Sequence, residues 1–163
     1  MATSLIHYGD PHLIPCAWIH RPTLRDDAFI ALDSVVQHCL AEKSDLVVPG
    51  DIFDSPNPPS VAVDKFRSAV LKLQQAGLGV FTTQGNHDLV PKGHPKWGVI
   101  CGAVDADRLT FEAGGLNCYG LDYRHQNDLQ TVLADVPPVD VLFGHQLLDI
   151  FDSRPGVWTM AAE

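Results

Sequence analysis

The chain has 163 residues, enough for one domain whose core needs no covalent staples, and its 45% hydrophobic and 19% charged content is that of an ordinary globular protein, not of a disordered tail. A formal net charge of −9 argues against a generic nucleic-acid coating protein, whose grip on phosphate comes mainly from Lys and Arg. It does not exclude a nuclease, because carboxylates that hold divalent cations count as negative only until the ions bind.

No run of about 18 apolar residues is present to span a bilayer, and the N-terminus lacks a basic segment leading into a hydrophobic stretch, so a cytoplasmic protein without membrane contact is expected. Cys16, Cys39, Cys101 and Cys118 are scattered with no C-x-x-C pair, which reads as free, mostly buried thiols.

Ser4 to Tyr8 reads as a first strand, after which Gly9-Asp10-Pro11-His12 leaves the sheet. In an extended segment residues two apart face the same side, so Asp10 and His12 can converge as carboxylate and imidazole ligands of a metal. A loop Asp beside a surface His is the alternative. Ile14 to Thr23 reads as a loop, with Arg21 and Arg25 at its end either meeting substrate phosphate or simply solvated. Thr23 or Asp26 then caps a helix whose apolar positions run from Phe29 through Leu32, Val36 and Cys39 to Leu40.

Leu46 to Val48 is a short apolar run bounded by Pro49 and Gly50, and reads as a buried strand ending abruptly. Asp51 follows directly. A carboxylate just past a strand's carboxyl end projects into the crevice where open α/β sheets place ligands. The prolines at 56, 58 and 59 forbid helix or central strand before Ser60, which is expected to cap a second helix running to Gln75 and stopped by Gly77. Leu78 to Thr83 is the third strand of this βαβ rhythm.

Gln84-Gly85-Asn86-His87-Asp88 places amide oxygen, imidazole and carboxylate consecutively at that strand's exit. Alone, these residues need do no more than stabilise a turn. With Asp10, His12 and Asp51 at the ends of the preceding strands they read better as a site, because strand ends of a parallel sheet share one edge. The loop Val90 to Gly98 holds Lys92, His94, Lys96 and Trp97, which either grip a polynucleotide by charge and stacking or form a plain surface loop. Leu116 to Leu121 is expected as a strand and Leu129 to Ala134 as a short helix. Val139 to Phe143 is again a buried strand, followed by Gly144 and a potential ligand, His145.

The ordered set Asp10-x-His12, Gly50-Asp51, Gly85-Asn86-His87-Asp88 and Gly144-His145 resembles the calcineurin-like metallophosphoesterases. The flanks Ile52-Phe53-Asp54, Pro58-Pro59-Ser60 and Gln146 are similar to those of the SbcD-type nuclease subunits of double-strand-break repair complexes, the likeness being thin between residues 91 and 138. The resemblance implies an α/β sandwich with βαβ units over residues 1–163, and two-metal phosphodiester hydrolysis by a DNA exonuclease or endonuclease. It implies that Asp10 and His12 bind one ion, Asn86 and His145 the second, and Asp51 both. His87 would donate a proton or stabilise charge at the phosphate, with Asp88 orienting its ring.

Mixed oxygen and nitrogen donors without thiolate suit Mn²⁺, Fe or Zn²⁺ better than Ca²⁺, and the resemblance puts Mn²⁺ first. DNA is the implied substrate, with an SbcC-like ATPase or a second copy of the chain as partner. A small-molecule phosphoesterase and a metal-poor binding module are the alternatives. The family's terminal Gly-His-x-His is absent, since Gln146-Leu147 follows His145. Gly144-His145 therefore reads as the family's earlier single-histidine motif, with Thr159 to Glu163 approaching the missing one; the opposite assignment is the alternative.

Overall fold

Four short parallel strands carry the sheet that most of the motifs leave from. The structure, a computed structural model, describes residues 2–15, 26–124, 126–148 and 159–160. Strands β1 (Ser4–His7), β2 (Ser44–Pro49), β3 (Val80–Thr83) and β4 (Val104–Asp105) lie side by side in chain order. Helices α1 (Asp27–Glu42), α2 (Ser60–Gln75) and the short α3 (Trp97–Ile100) make the crossovers between them. A second sheet holds β5 (Thr110–Ala113), β6 (Leu116–Leu121) and β7 (Val141–Gly144), with β6 antiparallel to β5 and parallel to β7. Helix α4 (Gln126–Ala134) crosses from β6 to β7, and β8 (Leu147–Leu148) pairs in parallel with β9 (Thr159–Met160).

Strand alternation explains how these layers stack. In β2, Leu46 and Val48 join Leu32, Val36, Phe66 and Val70 of the helices, while Val47 between them joins Phe111, Cys118 and Phe143 of the second sheet. Strands β1 and β3 divide the same way, Ile6 and Val80 to the helices, Leu5 and Phe81 to the seam. Phe81 stacks on Phe111 across that seam with ring centroids 4.4 Å apart. In β6, Cys118 faces the seam whereas Tyr119 and Leu121 face Val132 and Leu133 near α4. The result is the expected α/β sandwich, with helices outside both sheets. Because β2 is buried on both faces, its stretch from Leu46 to Val48 is a continuous apolar run.

One helix start differs from the expectation and the other meets it at one of the two offered positions. Pro59, not Ser60, is the N-cap of α2; its carbonyl accepts the N–H groups of Ala62 at 2.9 Å and Val63 at 3.3 Å, and Ser60 is already helical. Asp26 caps α1 with a left-handed backbone (φ 65°) and no side-chain bond to the helix, while Thr23 lies outside the described residues. Cys39, Cys101 and Cys118 are free and buried, as expected, and burial pushes the thiol pKa values of Cys39 and Cys101 up to about 11. Cys16 lies outside the described residues.

A cluster of charges ties the first sheet to the second. Lys96, just before α3, reaches Asp122 at 2.6 Å, Asp105 at 2.8 Å and Asp107 at 3.6 Å. Arg124 donates to both carboxylate oxygens of Asp107, at 2.8 and 2.7 Å. Burial pushes the Asp107 carboxyl up, but the Asp122 N–H, the Lys96 charge and the Arg124 guanidinium outweigh it and hold its pKa below the ordinary 3.8. A carboxyl depressed on folding contributes stability above its unfolded pKa and loses it as pH falls through the folded value. Asp107→Asn should therefore melt below the wild type at neutral pH, the gap narrowing as pH falls below 3.8. Melting curves across the acid range check this; a gap independent of pH would mean that the charge of Asp107 contributes nothing.

Candidate metal centre

The loops after β1, β2, β3 and β7 meet at one place because two glycines let their backbones touch. Gly50 has φ 90°, and a Cβ on it would lie 2.6 Å from His145 Cβ and 2.8 Å from Gly85 Cα. A Cβ on Gly85 would overlap the Asp51 carboxylate. Asp10 (φ 49°), His12 (φ 42°) and Asp51 (φ 49°) all adopt the left-handed backbone that non-glycine residues avoid. Asp10 and His12 thus do not converge through an extended segment, as the spacing suggested. Left-handed kinks turn them inward, with His12 N–H bonded to Asp51 O at 3.0 Å and Leu13 N–H to Ile52 O at 2.9 Å. Strained non-glycine residues concentrate where function over-determines the backbone.

Asp51 stands at the centre and is 2% exposed. Its Oδ1 accepts the His87 N–H at 2.9 Å, and its Oδ2 lies 3.3 Å from His145 Nε2 and 3.5 Å from His12 Nε2. His145 Nδ1 is 3.2 Å from Asp10 Oδ1, and His145 Nε2 is 2.9 Å from Asn86 Oδ1. Asp10 thus stands beside His145, not beside His12. His12 has Asp54 Oδ1 at 3.3 Å from its Nδ1, and its ring meets His87 edge-on at 4.8 Å. Two groups of converging donors result, Asp10–Asp51–His145 and His12–Asp54–His87, each with donor atoms within 4.8 Å of one another.

The donors fit divalent cations. His12 Nδ1 is buried and, although Asp54 Oδ1 lies 3.3 Å away, makes no well-formed hydrogen bond, so this lone pair is open to a cation beside that carboxylate. Imidazole and carboxylate without thiolate is the set that suits Mn, Fe or Zn. Burial pushes the Asp51 carboxyl up, but His145 and the His87 N–H reverse this and hold it below the ordinary carboxylate value. Burial lowers the His145 imidazole, and the bond and charge of Asp51, with Asp10 behind, raise it above the usual histidine value. A cation entering here takes the place of the proton that this pair favours.

Asp88 does not orient His87. Its buried carboxylate is taken up by backbone, Oδ2 accepting the Ile52 N–H at 2.9 Å and Oδ1 the Gly85 N–H at 2.8 Å, so it staples the β2 loop to the β3 loop. Burial raises its pKa against the pull of the Gly85 N–H, and the Asp51 charge adds to the rise. The His87 ring is held instead by the Asp54 carbonyl, 3.2 Å from Nδ1.

Among the residues expected at phosphate, Lys92 is exposed. Lys96 is drawn into its three carboxylates, and Arg21 and Arg25 lie outside the described residues. Trp97 is half-buried: its ring meets Phe53 edge-on (5.9 Å between centroids) and its indole N–H donates to Pro56 O at 3.2 Å. Sequence reasoning missed Asp54, although its place three residues after Asp51 was a signal. It also missed Tyr123, whose ring lies 6.3 Å from that of His145.

Comparison with known proteins agrees with this geometry. The calcineurin-like phosphoesterase family model matches residues 3–161. The chain is 23% identical over 148 residues to the DNA double-strand break repair protein Mre11 of Methanococcus maripaludis, covering 84% of this chain and 39% of that protein. It is 32% identical over 87 residues to the SbcD subunit of the nuclease SbcCD of Escherichia coli, covering 53% of this chain and 21% of the relative. An Mre11 of Aeropyrum pernix is 34% identical over 88 residues, or 52% and 21% of the two chains. The chain therefore spans two fifths or less of the length of these relatives. No helix among the described residues is long and apolar enough to cross a membrane.

Proposed function

The chain belongs to the calcineurin-like phosphoesterase family, and on that premise we propose that it is a two-metal phosphodiesterase that hydrolyses DNA. The observation that carries the metal reading is the position of Asp51: one buried carboxylate oxygen lies within 3.5 Å of imidazoles arriving from two different sheets. Asp10, His12, Asp51, Asn86 and His145 would hold the ions, Asp51 being the ligand placed to serve both. Two divalent cations, Mn²⁺ first and Fe or Zn²⁺ next, would supply Lewis acidity to activate water and neutralise charge on the phosphate.

The chain's own residues do the rest. Asp88 and the two glycines fix the loops. His87 is exposed at the lip of the site, and because a carbonyl can only accept, the Asp54 bond keeps a proton on Nδ1 and leaves Nε2 to exchange one with the ester. Exposed Lys92, and Arg21 and Arg25, are the residues proposed to meet the DNA backbone. The relatives named for DNA double-strand break repair and for nuclease activity support DNA as substrate. The bacterial one is by name a single component of a nuclease SbcCD, which supports a partner chain here, such as an SbcC-like ATPase, with a homodimer as the other arrangement.

The net charge of −9 favours a second reading, a small-molecule phosphoesterase. The purified chain is expected to take up two ions from Mn²⁺ and to cleave single-stranded DNA or duplex ends as well as bis-p-nitrophenyl phosphate. Hydrolysis of the small ester with none of any DNA would transfer the assignment to the second reading. Failure to bind any ion in excess Mn²⁺ would overturn both in favour of a binding module.

A further inference from the structure

Asn86 and His145 come within 2.9 Å of each other although one follows β3 in the first sheet and the other follows β7 in the second. Something must hold the two sheet ends in register. Gln84, two residues before Asn86, and Gln146, next after His145, both bond to the short segment Asp122–Tyr123 that leaves β6. Gln84 N–H donates to Asp122 Oδ1 at 2.8 Å, Gln84 O accepts the Tyr123 N–H at 2.7 Å, and Gln146 Nε2 donates to Asp122 O at 3.3 Å. Asp122 is 3% exposed. Its other carboxylate oxygen, Oδ2, is 2.6 Å from Lys96 Nζ and 3.7 Å from Arg124.

We propose that Lys96 is a positioning residue for the metal centre: through Asp122 it locks Gln84 and Gln146, and thereby sets the distance between Asn86 and His145. The inference rests on the metal-binding reading above. Among the described residues, Lys96 is the one cation that touches all three carboxylates of the cluster, drawing together the approach to α3, strand β4, the turn after it and the exit of β6. Arg124 reaches two of them, Asp107 and Asp122. Without Lys96, three carboxylates with one remaining cation repel one another, and Asp122 has least room to move because it is the most buried of them. The groups that hold metal ligands from behind typically change affinity or activity roughly 10–100-fold when removed, which is the scale on which a misplaced Asn86–His145 pair acts.

The test uses the full chain and Mn²⁺ alone, titrated calorimetrically well below the melting midpoint so that only folded protein is read. Lys96→Met should bind Mn²⁺ at least ~10-fold more weakly than wild type, and Lys96→Arg, which keeps the charge, should restore most of the affinity. Lys96→Met should also have little further effect in a His145→Ala background, because both changes disturb the same pair, whereas independent sites would add. If Lys96→Met does not fold, Lys96→Gln replaces it with the same expectation, since it too removes the charge that holds Asp122. A folded Lys96 variant with a lowered midpoint but wild-type affinity would overturn the proposal and leave the metal reading standing. Wild-type protein that binds no Mn²⁺ would overturn both.

Discussion

Asp51→Asn should abolish both Mn²⁺ binding and hydrolysis while leaving the metal-free protein folded. The amide oxygen of the variant can still accept the His87 N–H that Oδ1 accepts now, so the contact between the β2 and β3 loops survives. On the other side the amide offers no negative charge to a cation, and its N–H groups are poorly matched to His145 Nε2, which donates to Asn86 Oδ1. Because burial of this carboxyl is outweighed by His145 and the His87 N–H, which hold it below its ordinary value, its charge also stabilises the metal-free fold, and the variant should melt somewhat below wild type even without Mn²⁺. Metal affinity depends on ligand charge, and this carboxylate is shared between the two proposed ions. A ligand at about 100 times its dissociation constant stabilises a fold by about 2.7 kcal/mol. Wild type should therefore melt higher when Mn²⁺ is added, and Asp51→Asn should not. A variant that keeps the Mn²⁺-dependent rise, or the wild-type rate, would show that Asp51 is only a turn residue.

The same residue shows why much of the site was legible in the sequence. Gly50-Asp51, Gly85-Asn86-His87 and Gly144-His145 each follow a short apolar run, and a glycine after a buried strand marks where chain leaves the sheet. These run-then-glycine breaks therefore placed the ligands on strand ends without any knowledge of partners. They did not show that β7 is the edge of a second sheet, because its exposed position, Leu142, is as apolar as the buried Phe143 beside it, so no polar alternation tells one face from the other. Asp54, Asp88 and Lys96 were misjudged or missed for a related reason. The His87 ring that Asp54 holds is 33 residues away, the Ile52 N–H that Asp88 accepts beside the local one of Gly85 is 36 away, and Lys96 and Asp122 are 26 apart; nothing in the sequence distinguishes a carboxylate that accepts backbone N–H bonds from one that orients a ring. Trp97 is a partial case: beside the lysines it read as a stacking face or a plain loop residue, and its edge contact with Phe53 and bond to the Pro56 carbonyl, which fix the half-buried ring, are 44 and 41 residues away.

His87→Ala should slow DNA hydrolysis roughly 10²–10⁴-fold, the usual contribution of a positioned acid or base, and leave the number of bound ions unchanged. The competing view makes His87 a ligand, since its ring lies within reach of His12 and Asp54. Two features argue against it. Its Nδ1 is committed to the Asp54 carbonyl, and its backbone N–H, which the alanine variant retains, is what Asp51 uses. The loss should also depend on the leaving group. A deoxyribose alkoxide must be protonated as it departs, whereas p-nitrophenolate leaves without help, so bis-p-nitrophenyl phosphate hydrolysis should fall far less than DNA cleavage in the same variant. Equal losses on both substrates would point to charge stabilisation at the phosphate in place of proton donation. Loss of an ion as readily as in His145→Ala, read by Mn²⁺ titration, would move His87 among the metal ligands and leave the proton to another group.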